Sequence, residues 1–205
     1  MAKGNQETES KFWVSDLLKI DTRLSDLGAK VVEVRAFESN IRFDTPDNSF
    51  SLAGKVLRLR KYHDNRLTFK GAGKKIGGAL SRLEIETVVE DHENMRLILS
   101  EIGFEERAVY EKYRKMIEYK DCLVTLDELP YGNFIEIEGL DFDQISEVAQ
   151  DLGIDPSKAI PISYQKIFES LRDKLSLKAA NLTFHEVELS SVDLTVLGFE
   201  KADSS

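Results

Sequence analysis

Charge recurs with strand period in this chain, segment after segment, and that pattern limits the possible folds more than any other feature. Residues 55–62, KVLRLRKY, set Leu57 and Leu59 against Arg58 and Arg60. Residues 81–89, SRLEIETVV, set Leu83, Ile85 and Thr87 against Arg82, Glu84 and Glu86. VYEKYRKMI (109–117) puts Lys112 and Arg114 on one face, and CLVTLDEL (122–129) carries Asp127. NFIEIEG (133–139) alternates Glu136 and Glu138 with Ile135 and Ile137. ETESK (7–11) repeats the pattern with Glu7, Glu9 and Lys11. Side chains two apart on a strand share a face, so each segment reads as a strand with one ionic side.

Lys70 completes a basic set with Lys11, Arg58, Arg60, Arg82, Lys112 and Arg114. The acidic set is Glu7, Glu9, Glu84, Glu86, Asp127, Glu136 and Glu138. An open antiparallel sheet with one face in water accommodates any single strand of this kind. Such faces normally mix charges with Thr, Ser, Gln and Asn, and these are almost purely ionic. The alternative is a closed antiparallel barrel, charged inside and apolar outside under flanking helices. So many charges in one lumen are costly without a ligand. A polyanion with divalent cations would satisfy both sets, arginines and lysines taking phosphate oxygens and carboxylates taking Mg²⁺ or Mn²⁺.

Helices interleave with these strands. SDLLKIDTRLSDLG (15–28) opens on a prospective Ser15 N-cap and closes on Gly28. Residues 91–103 and 141–153 close on Gly103 and Gly153, and a last helix is expected over 162–175. Three times, a strand with alternate acids leads into a helix ending in Leu-Gly or Ile-Gly, which reads as recurring β-α architecture around one sheet. Loops are expected at 43–49 and 70–78. At 205 residues the length suits one domain, and the net charge of −9 argues against nucleic acid as a partner. Cys122 is the sole cysteine, so no intrachain disulfide forms, and it reads as a buried small residue. No apolar run approaches the ~18 residues of a membrane span. The MAKGNQ start is polar, so a cytoplasmic protein is expected.

In this setting ETESK resembles the ExExK signature of the CYTH superfamily, the triphosphate tunnel metalloenzymes. The resemblance continues in the family's order through RFDTPD (42–47), LRLRK (57–61), TFKG (68–71), RLEIE (82–86), KYR (112–114), LDE (126–128) and FIEIEG (134–139). It runs from about residue 5 to the helix bearing Tyr164. It implies an α+β fold, a closed eight-stranded antiparallel barrel with flanking helices, over residues 1–175. Residues 176–205 fall outside it as an extension without an assigned role. Carried over by position, Lys11, Arg58, Arg60, Lys70, Lys112 and Arg114 would bind a triphosphate. Glu7, Glu9, Asp127, Glu136 and Glu138 would hold Mg²⁺ or Mn²⁺. Arg82, Glu84 and Glu86 match the central charged strand, which with Lys11 is the catalytic set.

Two departures stand out. Thr8 and Ser10 replace residues that are often apolar, so the outer face of the first strand is expected to be less covered. Arg42 stands where an aromatic is common; it shares alternation with Asp44 and reads as its ion-pair partner rather than as a tunnel residue. The expected activity is metal-dependent hydrolysis of a small triphosphate. The alternatives are a class IV adenylate cyclase and a non-catalytic polyphosphate-binding module. GAGKK (71–75) lacks the spacing of a phosphate loop and reads as a hairpin turn. His63, His92 and His185 show no metal-ligand spacing. A monomer or homodimer is expected, any dimer using helices or the tail, because a closed barrel has no free edge.

Overall fold

The computed structural model describes residues 5–76, 79–187 and 193–203. They form strands β1 (Asn5–Val14), β2 (Lys30–Asp44), β3 (Val56–Lys61), β4 (Asn65–Lys70), β5 (Lys74–Ile76), β6 (Ala79–Val89), β7 (Glu105–Tyr119), β8 (Cys122–Leu129) and β9 (Gly132–Glu138). The helices are α1 (Leu17–Asp26), α2 (Ser49–Leu52), α3 (His92–Glu101), α4 (Phe142–Asp151) and α5 (Tyr164–Leu175). Eight strands close an antiparallel ring in the order β1-β9-β8-β7-β2-β3-β4-β6, with β6 pairing back onto β1. The eight-stranded ring and its flanking helices are the architecture the alternation implied.

β5 lies outside the ring. It continues the β4 side of β6, pairing Lys74 with Ser81 and Ile76 with Ala79, and falls inside the stretch expected to be a loop. It sits at the end of the strand order. The barrel therefore does carry one short edge, contrary to the expectation of none.

The period-two pattern sorts the side chains. On β3, Leu57 and Leu59 are buried outside the ring with Phe43, Val89 and Leu99 beneath α3, while Arg58 and Arg60 line the interior. The outward residues Phe12, Val124, Leu126, Ile135 and Ile137 pack with Ile20 and Leu24 of α1 and Ile145, Val148 and Ala149 of α4. A third core joins Trp13 and Phe134 to Tyr164, Ile167, Phe168 and Leu171 of α5.

Two local expectations are corrected. Asp16, not Ser15, caps α1: its carboxylate accepts from Lys19 N at 3.0 Å, while the Ser15 N–H donates to Asp203 at 2.9 Å. The outer face of β1 is covered, Thr8 and Ser10 being only 9% and 3% exposed. There the Thr8 carbonyl accepts from Gly139 N at 3.0 Å and the Thr8 hydroxyl reaches Ser81 Oγ at 3.2 Å. The outer face of β6 is less covered, Leu83 and Ile85 being 39% and 47% exposed.

The described part of residues 176–205 is stitched onto the barrel. Leu182 bridges to Tyr110 of β7, its N–H donating to Val109 O at 3.0 Å. Leu182, Val187 and Leu194 join the core around α5. Ala202 N donates to Trp13 O at 2.8 Å. Among the described residues, no helix is long and apolar enough to cross a membrane.

Candidate active site

The ring encloses a cavity of about 530 Å³. Glu7, Glu9 and Lys11 enter it from β1, Arg58 and Arg60 from β3, Lys70 from β4 and Arg82, Glu84 and Glu86 from β6. Lys112 and Arg114 enter from β7, Glu136 and Glu138 from β9. Asp127 of β8 stands apart from this lining, fully buried behind the lumen wall.

Ion pairs divide the lumen into two regions. The first is a paired floor. Asp127 accepts from Arg114 Nε at 2.6 Å, Lys112 Nζ at 3.1 Å and the Tyr164 hydroxyl at 2.9 Å. Arg114 also reaches Glu136 at 2.5 Å, and Lys11 meets Glu136 at 2.8 Å. The Lys11 ammonium sits 4.3 Å from the centre of the Tyr164 ring, a cation–π contact. Burial alone would raise the Glu136 carboxyl, but Lys11 and Arg114 hold it well below the usual carboxylate range. Against the opposing effect of burial, Asp127, Glu38 and Glu136 raise Arg114, and Glu136 and Glu9 raise Lys11.

The second region is an acid-crowded wall. Lys70 bridges Glu7 at 2.9 Å and Glu84 at 3.0 Å, and Arg82 bridges Glu9 at 3.0 Å and Glu7 at 3.5 Å. These two cations serve four carboxylates, counting Glu138 across β1 from Glu9. Burial, then the neighbouring Glu7 and Glu9, push Glu138 up to about 7. Burial and a hydrogen bond with Glu84 raise Glu7. Among the described residues, no three acidic, histidine or cysteine side chains stand as a ready-made metal cage. The donor chemistry nonetheless fits a hard divalent cation: crowded carboxylate oxygens, with Glu138 raised by burial and by the neighbouring acids.

Sequence reasoning missed several residues around the lumen. Glu38 is fully buried, 3.5 Å from Lys112 and 4.0 Å from Arg60. Burial would raise its carboxyl, but Lys112, Arg114, Arg58 and Arg60 together lower it to about 2. Asn40 Nδ2 donates to Glu38 at 2.9 Å. Arg66 of β4 binds Glu86 at 2.8 Å, and the Tyr110 hydroxyl accepts from Arg58 at 3.3 Å. Glu38, Asn40 and Arg42 on β2, and Arg66, Thr68 and Lys70 on β4, follow the same two-residue alternation read elsewhere.

Arg42 corrects its expectation. It lines the cavity rather than pairing with Asp44. The Asp44 carboxylate is already occupied by N–H groups of Thr45, Phe50 and Ser51, at 2.8, 2.9 and 2.9 Å, and by the Ser51 hydroxyl.

With this geometry in hand, comparison with known proteins is informative. The model of the CYTH domain matches residues 5–164. The chain belongs to the CYTH domain family. A Methanocaldococcus jannaschii protein named as a candidate adenylate cyclase is 31% identical over 166 residues, covering 78% of this chain and 93% of that protein. A Vibrio parahaemolyticus structure, also described as a candidate adenylate cyclase, aligns with a TM-score of 0.71 at 20% identity, over 82% of this chain and 99% of that one. A Hippeastrum protein described as a candidate adenylyl cyclase with a dominant triphosphatase activity aligns with a TM-score of 0.61 at 17% identity, over 80% of this chain and 95% of that one. At those identities the two structures speak for the CYTH fold alone.

Proposed function

We propose that this protein is a divalent-metal-dependent enzyme that hydrolyses a phosphoanhydride bond of a small triphosphate inside the tunnel. The observation that carries this reading is one cavity lined by both a basic set and a crowded group of carboxylates. Phosphoryl transfer asks for positioning and charge neutralisation more than for covalent catalysis, and this lumen offers both.

Lys11, Arg58, Arg60, Lys70, Lys112 and Arg114 would grip the phosphate oxygens. Asp127 holds Arg114 and Lys112 in place through the contacts above, so its role moves from metal ligand to positioning residue. Glu136 belongs with it, since Lys11 and Arg114 already engage its carboxylate. Glu7, Glu9 and Glu138 are the residues that would hold Mg²⁺ or Mn²⁺, which when bound would neutralise phosphate charge on that wall. Arg82 and Glu84 orient this acid group, and Glu86 orients Arg58, Arg60 and Arg66. In hydrolysis a water oxygen bonds to phosphorus, the bond to the bridging oxygen breaks, and the leaving phosphate carries off the electron pair. Lumenal arginines and lysines stabilise that charge.

A second reading is adenylate cyclase, favoured by the name of the 31%-identical relative. One assay separates them. The protein is incubated with inorganic triphosphate, thiamine triphosphate or ATP and with Mg²⁺ or Mn²⁺, and phosphate, pyrophosphate and cyclic AMP are quantified. Phosphate release above a Glu9→Ala control is expected. Cyclic AMP with pyrophosphate from ATP would replace hydrolysis with cyclisation. Tight binding without turnover would leave a polyphosphate-binding module and sink both.

A further inference from the structure

The lumenal cations just named have carboxylate partners within 4 Å, from Arg114 at 2.5 Å to Arg58, whose nearest is Glu86 at 3.8 Å. Arg42 is different. It lines the same cavity, yet among the described residues it has no ion-pair, hydrogen-bond or ring partner. Its cross-strand neighbour is another arginine, Arg58, and both project into the lumen. Like charges directly opposite on adjacent strands repel. Nearby groups are also unsatisfied: Arg58 Nε and Asn40 Oδ1 are buried without a hydrogen-bond partner among the described residues. Asp44, two residues along β2, is occupied by the turn into α2 and offers Arg42 nothing.

We infer that Arg42 and Arg58 form an additional anion subsite at the end of the phosphate track, and that it takes one phosphate unit beyond three. This rests on the proposed triphosphate site and extends it. The paired cations are already balanced by the protein's own carboxylates, so a ligand must compete for them. An anion opposite Arg42 competes with nothing and relieves the repulsion with Arg58. Guanidinium groups suit such a group, since each offers a planar fork to phosphate oxygens. The ligand class is a linear polyphosphate of four or more units. Arg42 acts as a specificity-determining residue toward chain length.

Calorimetric titration of the whole protein with inorganic tripolyphosphate and tetrapolyphosphate, at fixed ionic strength, tests this. Wild type is expected to bind the tetraphosphate about tenfold more tightly, the gain of one charge-assisted phosphate contact. In Arg42→Gln that ratio falls to within twofold of one, and Arg42→Lys retains most of it. A thermal melt of each variant guards against misfolding. A wild-type ratio within twofold of one, or a preference that survives Arg42→Gln, overturns the subsite and leaves the triphosphate reading intact. Failure of wild type to bind either polyphosphate overturns both.

Discussion

The floor and the wall of one lumen are built from the same residue types, yet only the wall holds carboxyls pushed above their ordinary range. On the floor, Asp127, Glu136 and Glu38 are matched by Lys11, Arg60, Lys112 and Arg114, and the carboxyls of Glu38 and Glu136 fall below their ordinary range. On the wall, Glu7, Glu9, Glu84 and Glu138 share Lys70 and Arg82; Glu7 rises and Glu138 rises to about 7, while hydrogen bonds with Glu7 and Lys70 bring Glu84 down despite burial. Burial penalises a carboxylate in both places. What differs is the ratio of local cations to acids. A balanced cluster is rigid and pre-organised, whereas an acid-rich one keeps an unmet demand for positive charge.

The comparison breaks most visibly at Asp127. Asp127→Asn leaves Lys112 and Arg114 buried without their shared counter-charge, a loss of about 3–5 kcal/mol by urea unfolding. A loss below about 1 kcal/mol would mean the floor is not held by charge. Glu38 tests the same floor through pH. Its folded carboxyl lies near 2, below the ordinary value of 4.5 that it regains on unfolding. Its ionised form therefore stabilises the fold above pH 4.5, by on the order of 3 kcal/mol, and that contribution fades as pH falls toward 2. The unfolding free-energy gap between wild type and Glu38→Gln should narrow over that window; a constant gap would rule the linkage out.

Lys11 joins floor to chemistry. Lys11→Ala is expected to cut turnover by about 10²-fold, the effect of losing an electrostatic stabiliser. Turnover within twofold of wild type would remove Lys11 from the site. The wall should respond in the other direction. Glu138→Gln relieves crowding, so the metal-free protein should melt about 2–4 °C higher, a shift worth about 1 kcal/mol in a domain of this size. The same variant should gain less than wild type when Mn²⁺ is added. The smallest effect is expected at Arg42, which has no partner to lose: Arg42→Gln should stay within about 0.5 kcal/mol of wild type in urea.

Most of the ring was legible because period-two alternation is strict on β3, β6, β7, β8 and β9, and because Gly28, Gly103 and Gly153 take the positive φ that ends each preceding helix. β2 was not. Register shifts between Val31 and Glu33, Glu33 and Ala36, and Arg42 and Phe43 interrupt its period on both sides of Glu38, Asn40 and Arg42, leaving their alternation too short a run to stand out in the sequence. Val34 and Phe37 blur it further, being exposed where a barrel's outside is expected to be covered. Asp127 shows a second limit. Alternation assigned it to the lumenal side, but whether it lines the cavity or lies behind two cations depends on the partners that fold over it. The role of Tyr164 depends on α5 docking against β8 and β9, a long-range event without a local signature.

The hydrogen bond from Ala202 N to Trp13 O has a consequence for how the chain matures. β1 leaves the ribosome well before β6 and β9, its neighbours in the ring, and before the segment around Ala202 that clasps its far end. The stave that carries Glu7, Glu9 and Lys11 must wait unpaired until β6, and then β9, has been made. Closure of such distant partners is slow, and an exposed strand invites mispairing meanwhile. Its acids and lysine, set two apart, keep that waiting strand charged and poorly suited to pairing with a copy of itself.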